Sequence, residues 1–232
     1  MLSKSPVIVC VLALVSLFAV GSAKADSVPI VNADFSQLPT PAPTTIACGT
    51  GSWYDVGSIY GWNVSGIAGT QVLGSAYYTS VPSASGTMAF INGGTISQNL
   101  GVALLPDSTY TLSVYVGHRI DGTPDGDITN FSFGLDNGTI LRTISDSTAD
   151  IPVGTFELQS YSFTTGATVT PGDLVITLGD DKQQADFTNV SLSVVSTPEP
   201  SSLLMLGIGL IGLLFLGKRF GLKRPEQLTV SN

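Results

Sequence analysis

Side chains able to do chemistry are few in this chain and widely spread. His118 is the sole histidine and sits beside Arg119 at the end of an alternating apolar run. Serines and aspartates abound, so a Ser-His-Asp set exists by count, yet no nucleophile elbow or comparable motif places one beside His118. Paired carboxylates could hydrolyse glycosides. Glu157, however, is the only glutamate between Asp26 and Ser196, and no two aspartates stand out as a pair. The sequence holds no phosphate loop, zinc spacing or haem motif. The expectation is no catalytic residue and no enzyme, with a secreted hydrolase as the weakest alternative.

Two further groups could bind rather than react. Asp121, Asp125 and Asp127 gather oxygens around Gly122 and Pro124. Their spacing does not fit a calcium loop of the EF-hand kind, so a solvated acidic turn is expected. Aromatic residues cluster at Trp53, Tyr54, Tyr60, Trp62, Tyr77 and Tyr78. Such faces stack on sugars, but they also fill cores. Trp62, between Gly61 and an apolar strand, reads as core. Trp53, Tyr77 and Tyr78 read as exposed and are the candidate glycan contacts.

The elements that must position these residues are strands. From Asp26 to Ser196 no 3.6-residue periodicity is sustained, while short alternating runs recur between Gly, Pro, Asn and Asp. Tyr110, Leu112, Val114 and Val116 share one face of the clearest run. Phe131, Phe133 and Leu135 repeat the pattern before the turn Asp136-Asn137-Gly138, and Ile140 and Ile144 follow on a partner strand. Further runs cover 87–92, 95–100, 156–164, 174–178 and 186–195. In the last, Phe187 and then Val190, Leu192 and Val194 change phase around Asn189, the mark of a bulge. Eight or more short strands predict an all-β, antiparallel, two-sheet jelly-roll sandwich at 26–196.

The ends read as addresses. Lys4, an apolar run from Val7 to Val20 and Ala23-Lys24-Ala25 form a signal peptide, 1–25, cut by signal peptidase before Asp26. At the other end Thr197-Pro198-Glu199-Pro200 precedes an apolar stretch at about 201–217, long enough for a short membrane helix. Lys218, Arg219, Lys223 and Arg224 follow at once and hold that end in the cytoplasm. Between the ends only Arg119, Arg142 and Lys182 oppose fifteen acids, a formal charge of −12. That charge repels phosphates and excludes nucleic acid as a partner. Once the signal is removed Cys48 is the only cysteine left, so no disulfide can form within the chain.

Pro198-Glu199-Pro200, the apolar stretch and Lys218-Arg219, in that order (197–232), resemble a PEP-CTERM sorting signal. The resemblance implies recognition by an exosortase-type transpeptidase, in bacteria that make exopolysaccharide. Residues 92–100, 110–114 and 186–192, with Asn32-Ala33-Asp34-Phe35 and Gly61-Trp62, resemble galactose-binding-like jelly rolls of carbohydrate-binding modules. In that class the first and last strands are neighbours and often hold a structural calcium. The resemblance puts the ion at Asn32, Asp34 and Asp186, whose hard oxygens suit Ca²⁺. Together these readings predict a non-catalytic exported protein of the envelope or exopolysaccharide, tethered by its C-terminal helix and later at the cell surface or outside. The alternative is a carbohydrate-binding module with a defined glycan.

Overall fold

The structure is a computed structural model that describes residues 24–40, 44–48, 51–120 and 130–196, with Gly207 and Gly209 alone beyond them. The signal peptide up to Ala23, the acidic turn at Asp121, Asp125 and Asp127, the Pro198–Pro200 motif and the basic residues from Lys218 onward lie outside the described residues, as does nearly all of the expected membrane helix. Among the described residues no helix is long and apolar enough to cross a membrane. The compact β unit spans Ser22–Ser196.

Among the described residues it is an antiparallel jelly-roll sandwich of ten strands. The chain order is β1 (Asp26–Val28), β2 (Ile46–Ala47), β3 (Trp53–Tyr54), β4 (Asn63–Val72), β5 (Thr87–Ala103), β6 (Ser108–His118), β7 (Asn130–Asp136), β8 (Ile140–Ser147), β9 (Thr155–Thr164) and β10 (Asp173–Ser196). Hydrogen bonding runs through all ten because β5 and β10 are long and bend from one layer into the other. As far as Asp180, β10 pairs with the second half of β5 and with β7, which in turn pairs with β8. From Gln184 it pairs with the first half of β5 and from Asp186 with β6, whose far edge carries β9. β1 lies against Leu192–Val194 near the end of β10, so the first and last strands are neighbours. β4 flanks β5, with the short β3 and β2 outside it.

Two runs read separately in the sequence, 87–92 and 95–100, are therefore one strand, and so are 174–178 and 186–195. Glycines allow the bend. A Cβ on Gly66 would sit 2.3 Å from the carbonyl oxygen of Gly93, and one on Gly94 would sit 2.2 Å from that of Ser65. Only bare backbones pass this closely, and the register of β4 on β5 shifts there, between Gly66 and Ala68.

Alternation then fills the core. Tyr110, Leu112, Val114 and Val116 of β6 are buried against Phe131, Phe133 and Leu135 of β7 and Leu174, Ile176 and Leu178 of β10. Phe187 meets Phe131 edge-on at 6.4 Å, and burying each such side chain stabilises the fold by about 1.5–3 kcal/mol. Trp62 is core as expected, with its ring 5.3 Å from that of Phe35. The bulge at Asn189 is present: its φ is 49°, and the register against β6 shifts between Thr188 and Ser191. That extra residue lets Phe187, Val190, Leu192 and Val194 all face the core, while Asp186 faces the opposite way, toward Gln71 of β4 and Tyr78 in the segment after it.

Candidate active site

Register places the polar face. Asp186 pairs with Phe90 on β5 and with Gly117 on β6, Gly69 of β4 stands across from Phe90, and Gln184 pairs with Asn92. Gln71, Phe90, Gln184 and Asp186 thus project from one side of three adjacent strands. Above them lie the segment around Cys48–Val56 and the segment that carries Tyr77 and Tyr78. Backbone bonds pin the latter: Ile120 N–H donates to Tyr77 O at 3.0 Å, and Thr79 N–H to Gly154 O at 2.8 Å.

Asp186 is 1% exposed and sits at the centre. Its Oδ1 accepts from Gln71 Nε2 at 2.6 Å and from Gln184 Nε2 at 2.9 Å. Its Oδ2 accepts from the Tyr78 hydroxyl at 2.6 Å. Gln184 also donates to Gln71 Oε1 at 3.2 Å, which ties the two amides together. The hydroxyl reaches Oδ2 because residue 117 has no side chain: a Cβ there would lie 2.6 Å from Tyr78 Oη and 2.7 Å from the Phe156 ring. Tyr78 itself packs on Phe156 with centroids 4.5 Å apart.

Loss of water pushes the Asp186 carboxyl above its ordinary value. The positive charge of Arg119 and the three hydrogen bonds pull it back without cancelling that push. All three contacts are neutral donors, so they hold the carboxyl in place while burial alone pushes it upward. Buried carboxyls pushed upward in this way are the groups that serve as general acids in other sites.

Over it opens a pocket of about 310 Å³. Its walls combine apolar and aromatic side chains, among them Tyr54, Ile67, Leu73 and Phe90, with a polar edge formed by Gln71, Asn92, Gln184 and Arg119. Gln71 and Gln184 stand between the pocket and Asp186, touching both. Concave, apolar walls with a few convergent polar groups and one perturbed acid are what small-molecule sites share.

The residues singled out in the sequence are distributed differently from expectation. Tyr78 was expected at the surface but is 2% exposed, because its hydroxyl is needed inside by Asp186. Tyr77 is half-buried at the pocket, and Trp53, also half-buried, pairs with Val72 in the adjacent ribbon. The three therefore do not form one sugar-stacking face. Asn32, Asp34 and Asp186 have separate partners. The Asn32 amide bonds Gln37 and the Tyr60 carbonyl, and Asp34 caps Ser36. Asp186 is engaged instead by Gln71, Gln184 and Tyr78. His118 is 5% exposed with Nδ1 2.7 Å from Ile151 O, and its ring is bonded to no serine or aspartate. Gln71, Gln184, Asn92, Arg119 and Gly117 were not foreseen as site residues. For Gln71, Asn92 and Gln184 the one sequence signal was an amide inside a strand; Gly117 and Arg119 gave none.

Comparison with known proteins bears on both parts of the chain. Residues 196–219 match the PEP-CTERM protein-sorting motif, so the chain carries the mark of an exported protein sorted at the cell envelope, with exosortase as its processing partner. No curated protein sequence matches the chain. Among solved structures, the Stig cyclase FisC from Fischerella sp. TAU, in complex with (3Z)-3-(1-methyl-2-pyrrolidinylidene)-3H-indole, superposes with TM-score 0.62 at 21% identity over 75% of this chain and 100% of that one. A cyclase from the same source in complex with 4-(1H-indol-3-yl)butan-2-one gives 0.58 at 20% identity over the same shares. The xylan-binding CBM22-1 domain of Paenibacillus barcinonensis Xyn10C gives 0.39 at 11%, over 76% of this chain and 99% of that one, too distant to argue for a sugar. Residues 26–193 match the family model described as HpiC1 cyclase, which corrects the expectation of a non-enzyme, and the chain belongs to the HpiC1-like family.

Proposed function

We propose that the β unit is an exported cyclase-type enzyme in which Asp186 donates the proton that starts ring closure. The observation that carries this is a buried carboxyl, pushed above its ordinary value by loss of water, beneath two amides that line a pocket with aromatic walls. The proton leaves Oδ2 for a carbon–carbon double bond of the substrate. The cation so formed is attacked by a neighbouring π-bond, which closes the ring. A ring proton then returns to the carboxylate, so nothing is consumed and no oxidant is needed. Phe90, Tyr54 and Tyr77 offer π-faces to the cation. Tyr78, Gln71 and Gln184 fix the carboxyl, and Gln71 and Gln184 must swing aside for the substrate to reach it.

The indole ligands in the titles of the related cyclase structures suggest an aromatic substrate of similar size. Incubating the full chain in D₂O with an alkene-bearing 3-substituted indole should give a cyclised product carrying one deuterium at the protonated carbon. Asp186→Asn should abolish turnover, and equal turnover in that variant would refute the assignment. The finer localisation belongs to the same reading: the sorting motif supports a precursor cut by signal peptidase, tethered through 201–217 and released by exosortase to the surface or the surrounding exopolysaccharide.

A further inference from the structure

One amide in the pocket wall is pinned with its oxygen unused. Gln184 Nε2 commits both of its hydrogens, one to Asp186 Oδ1 at 2.9 Å and one to Gln71 Oε1 at 3.2 Å. Because both partners accept, the amide cannot turn over without setting oxygen against oxygen. Its own Oε1 therefore lies on the other arm of a fixed planar group, and no described residue donates to it. The side chain is half-buried and lines the pocket. The neighbouring amides differ. Gln71 has its oxygen taken by Gln184, and Asn92, across from Gln184 on β5, is exposed, so water solvates its amide.

An acceptor already held in place and partly out of water pairs with a donor at lower cost than one that must first be ordered. Resting on the reading of this pocket as the active site, we propose that Gln184 is its specificity-determining residue, with Oε1 accepting the ring N–H of a neutral heteroaromatic ligand. The aromatic walls suit a flat ring. Phe90 and Tyr54 stand nearly perpendicular, at 84° with centroids 6.2 Å apart, so a ring stacked on one meets the other with its edge. They do not suit an ammonium: among the described residues no carboxylate lines the pocket, and the Arg119 cation stands in its wall. A volume of about 310 Å³ is at the small end for ligand sites, which leaves room for one fused bicyclic ring. A single bond at one edge of a flat ring fixes its rotation, and so selects which of its bonds lies toward Asp186. The contact acts as the ligand arrives, before Gln184 swings aside for proton transfer.

Two probes separate the donor from the shape. 3-Methylindole and 3-methylbenzothiophene have nearly the same outline, and only the first carries a ring N–H. Titration calorimetry on the full chain in detergent should show the indole binding about fivefold more tightly, the size of one neutral hydrogen bond. Gln184→Met, which keeps the length of the side chain, should erase that preference while the benzothiophene still binds, which also shows that the variant is folded. Gln184→Asn draws the oxygen back by one carbon and should lose the preference too, and it decides the matter if the methionine variant does not fold. Equal binding of the two probes, or a preference that survives Gln184→Met, overturns the role of Gln184 but leaves the pocket standing. A preference lost in Asn92→Ala and kept in Gln184→Met gives the N–H to the other amide and overturns the assignment. Tryptamine, an ammonium at neutral pH, should bind more weakly than 3-methylindole, and tighter binding overturns the neutral ligand. Phe90→Ala should weaken both ring probes alike. If neither probe binds the unaltered chain, or if Phe90→Ala affects neither, the pocket reading fails, and this inference with it.

Discussion

Gly117→Ala should damage the site through one missing hydrogen bond, and the size of the loss can be worked from distances. The new Cβ would lie 2.6 Å from Tyr78 Oη, whereas ordinary contact begins at 3.4 Å. Moving the hydroxyl back by about 0.8 Å stretches its 2.6 Å bond to Asp186 out of hydrogen-bonding range. Losing a bond to a buried carboxyl costs about 1–3 kcal/mol, and crowding against Phe156 adds about 1–3 kcal/mol more. A total near 4 kcal/mol corresponds to a fall in melting temperature of about 8–16 °C for a domain of this size.

Tyr78→Phe loses the same bond but frees the space, so the two changes should not add. Urea unfolding of the Ser22–Ser196 unit, followed by circular dichroism for both single variants and the double variant, measures the coupling. The double variant should be about 1–2 kcal/mol more stable than the sum of the single losses predicts. Additivity within about 0.5 kcal/mol would refute the reasoning, since distant or unrelated sites behave that way. Removing the Tyr78 hydrogen bond, which favours the ionised acid, should also move the Asp186 carboxyl further upward and shift the alkaline limb of any pH profile to higher pH.

Asp186→Asn should flatten the dependence of stability on pH. The native state binds the extra proton between the ordinary aspartate value and the raised native one, so wild-type stability falls as pH rises through that window; equal melting curves across pH in both proteins would contradict the neutral acid. Chelating divalent cations should change the melting temperature of wild type and Asp186→Asn by the same amount, whatever that amount is, and a chelator effect lost only in the variant would return Asp186 to a calcium site. Replacing Pro198, Glu199 and Pro200 with alanine should leave the chain unprocessed in cells that contain exosortase, as read by mass spectrometry of the C-terminal peptides; recovery of a normally trimmed product would remove that motif from recognition.

Legibility differed sharply along the chain. A sorting motif is read by another protein as a linear string, so Pro198-Glu199-Pro200 and the cations after it could be recognised as they stand. Core strands were legible because alternation is a local property: Tyr110 to Val116 and Phe131 to Leu135 each state their buried face within a few residues. The bulge at Asn189 was visible for the same reason, as a slip in phase. The continuity of β5 and β10 was hidden, because Gly93-Gly94 and the irregular stretch after Asp180 punctuate strands that in fact bend and continue.

The active-site reading was hidden at another level. Asp186 drew notice, but for a role that required its charge, and nothing local shows that burial pushes its carboxyl upward. Its partners lie more than a hundred positions away, Gln71 and Tyr78, which reach it only because β4 and β10 flank β5 and because residue 117, its direct neighbour on β6, is a glycine. A glycine in a strand ordinarily reads as a weak point. Here it is the space a tyrosine hydroxyl occupies, and the same sequence with alanine at 117 would show an identical strand pattern and a different acid. Composition is silent in the same way: a charge of −12 describes the domain as a whole, while a group in the pocket wall is Arg119. In this fold the chemistry depends on which side chains pairing brings face to face, and a list of reactive residues, however complete, does not contain that pairing.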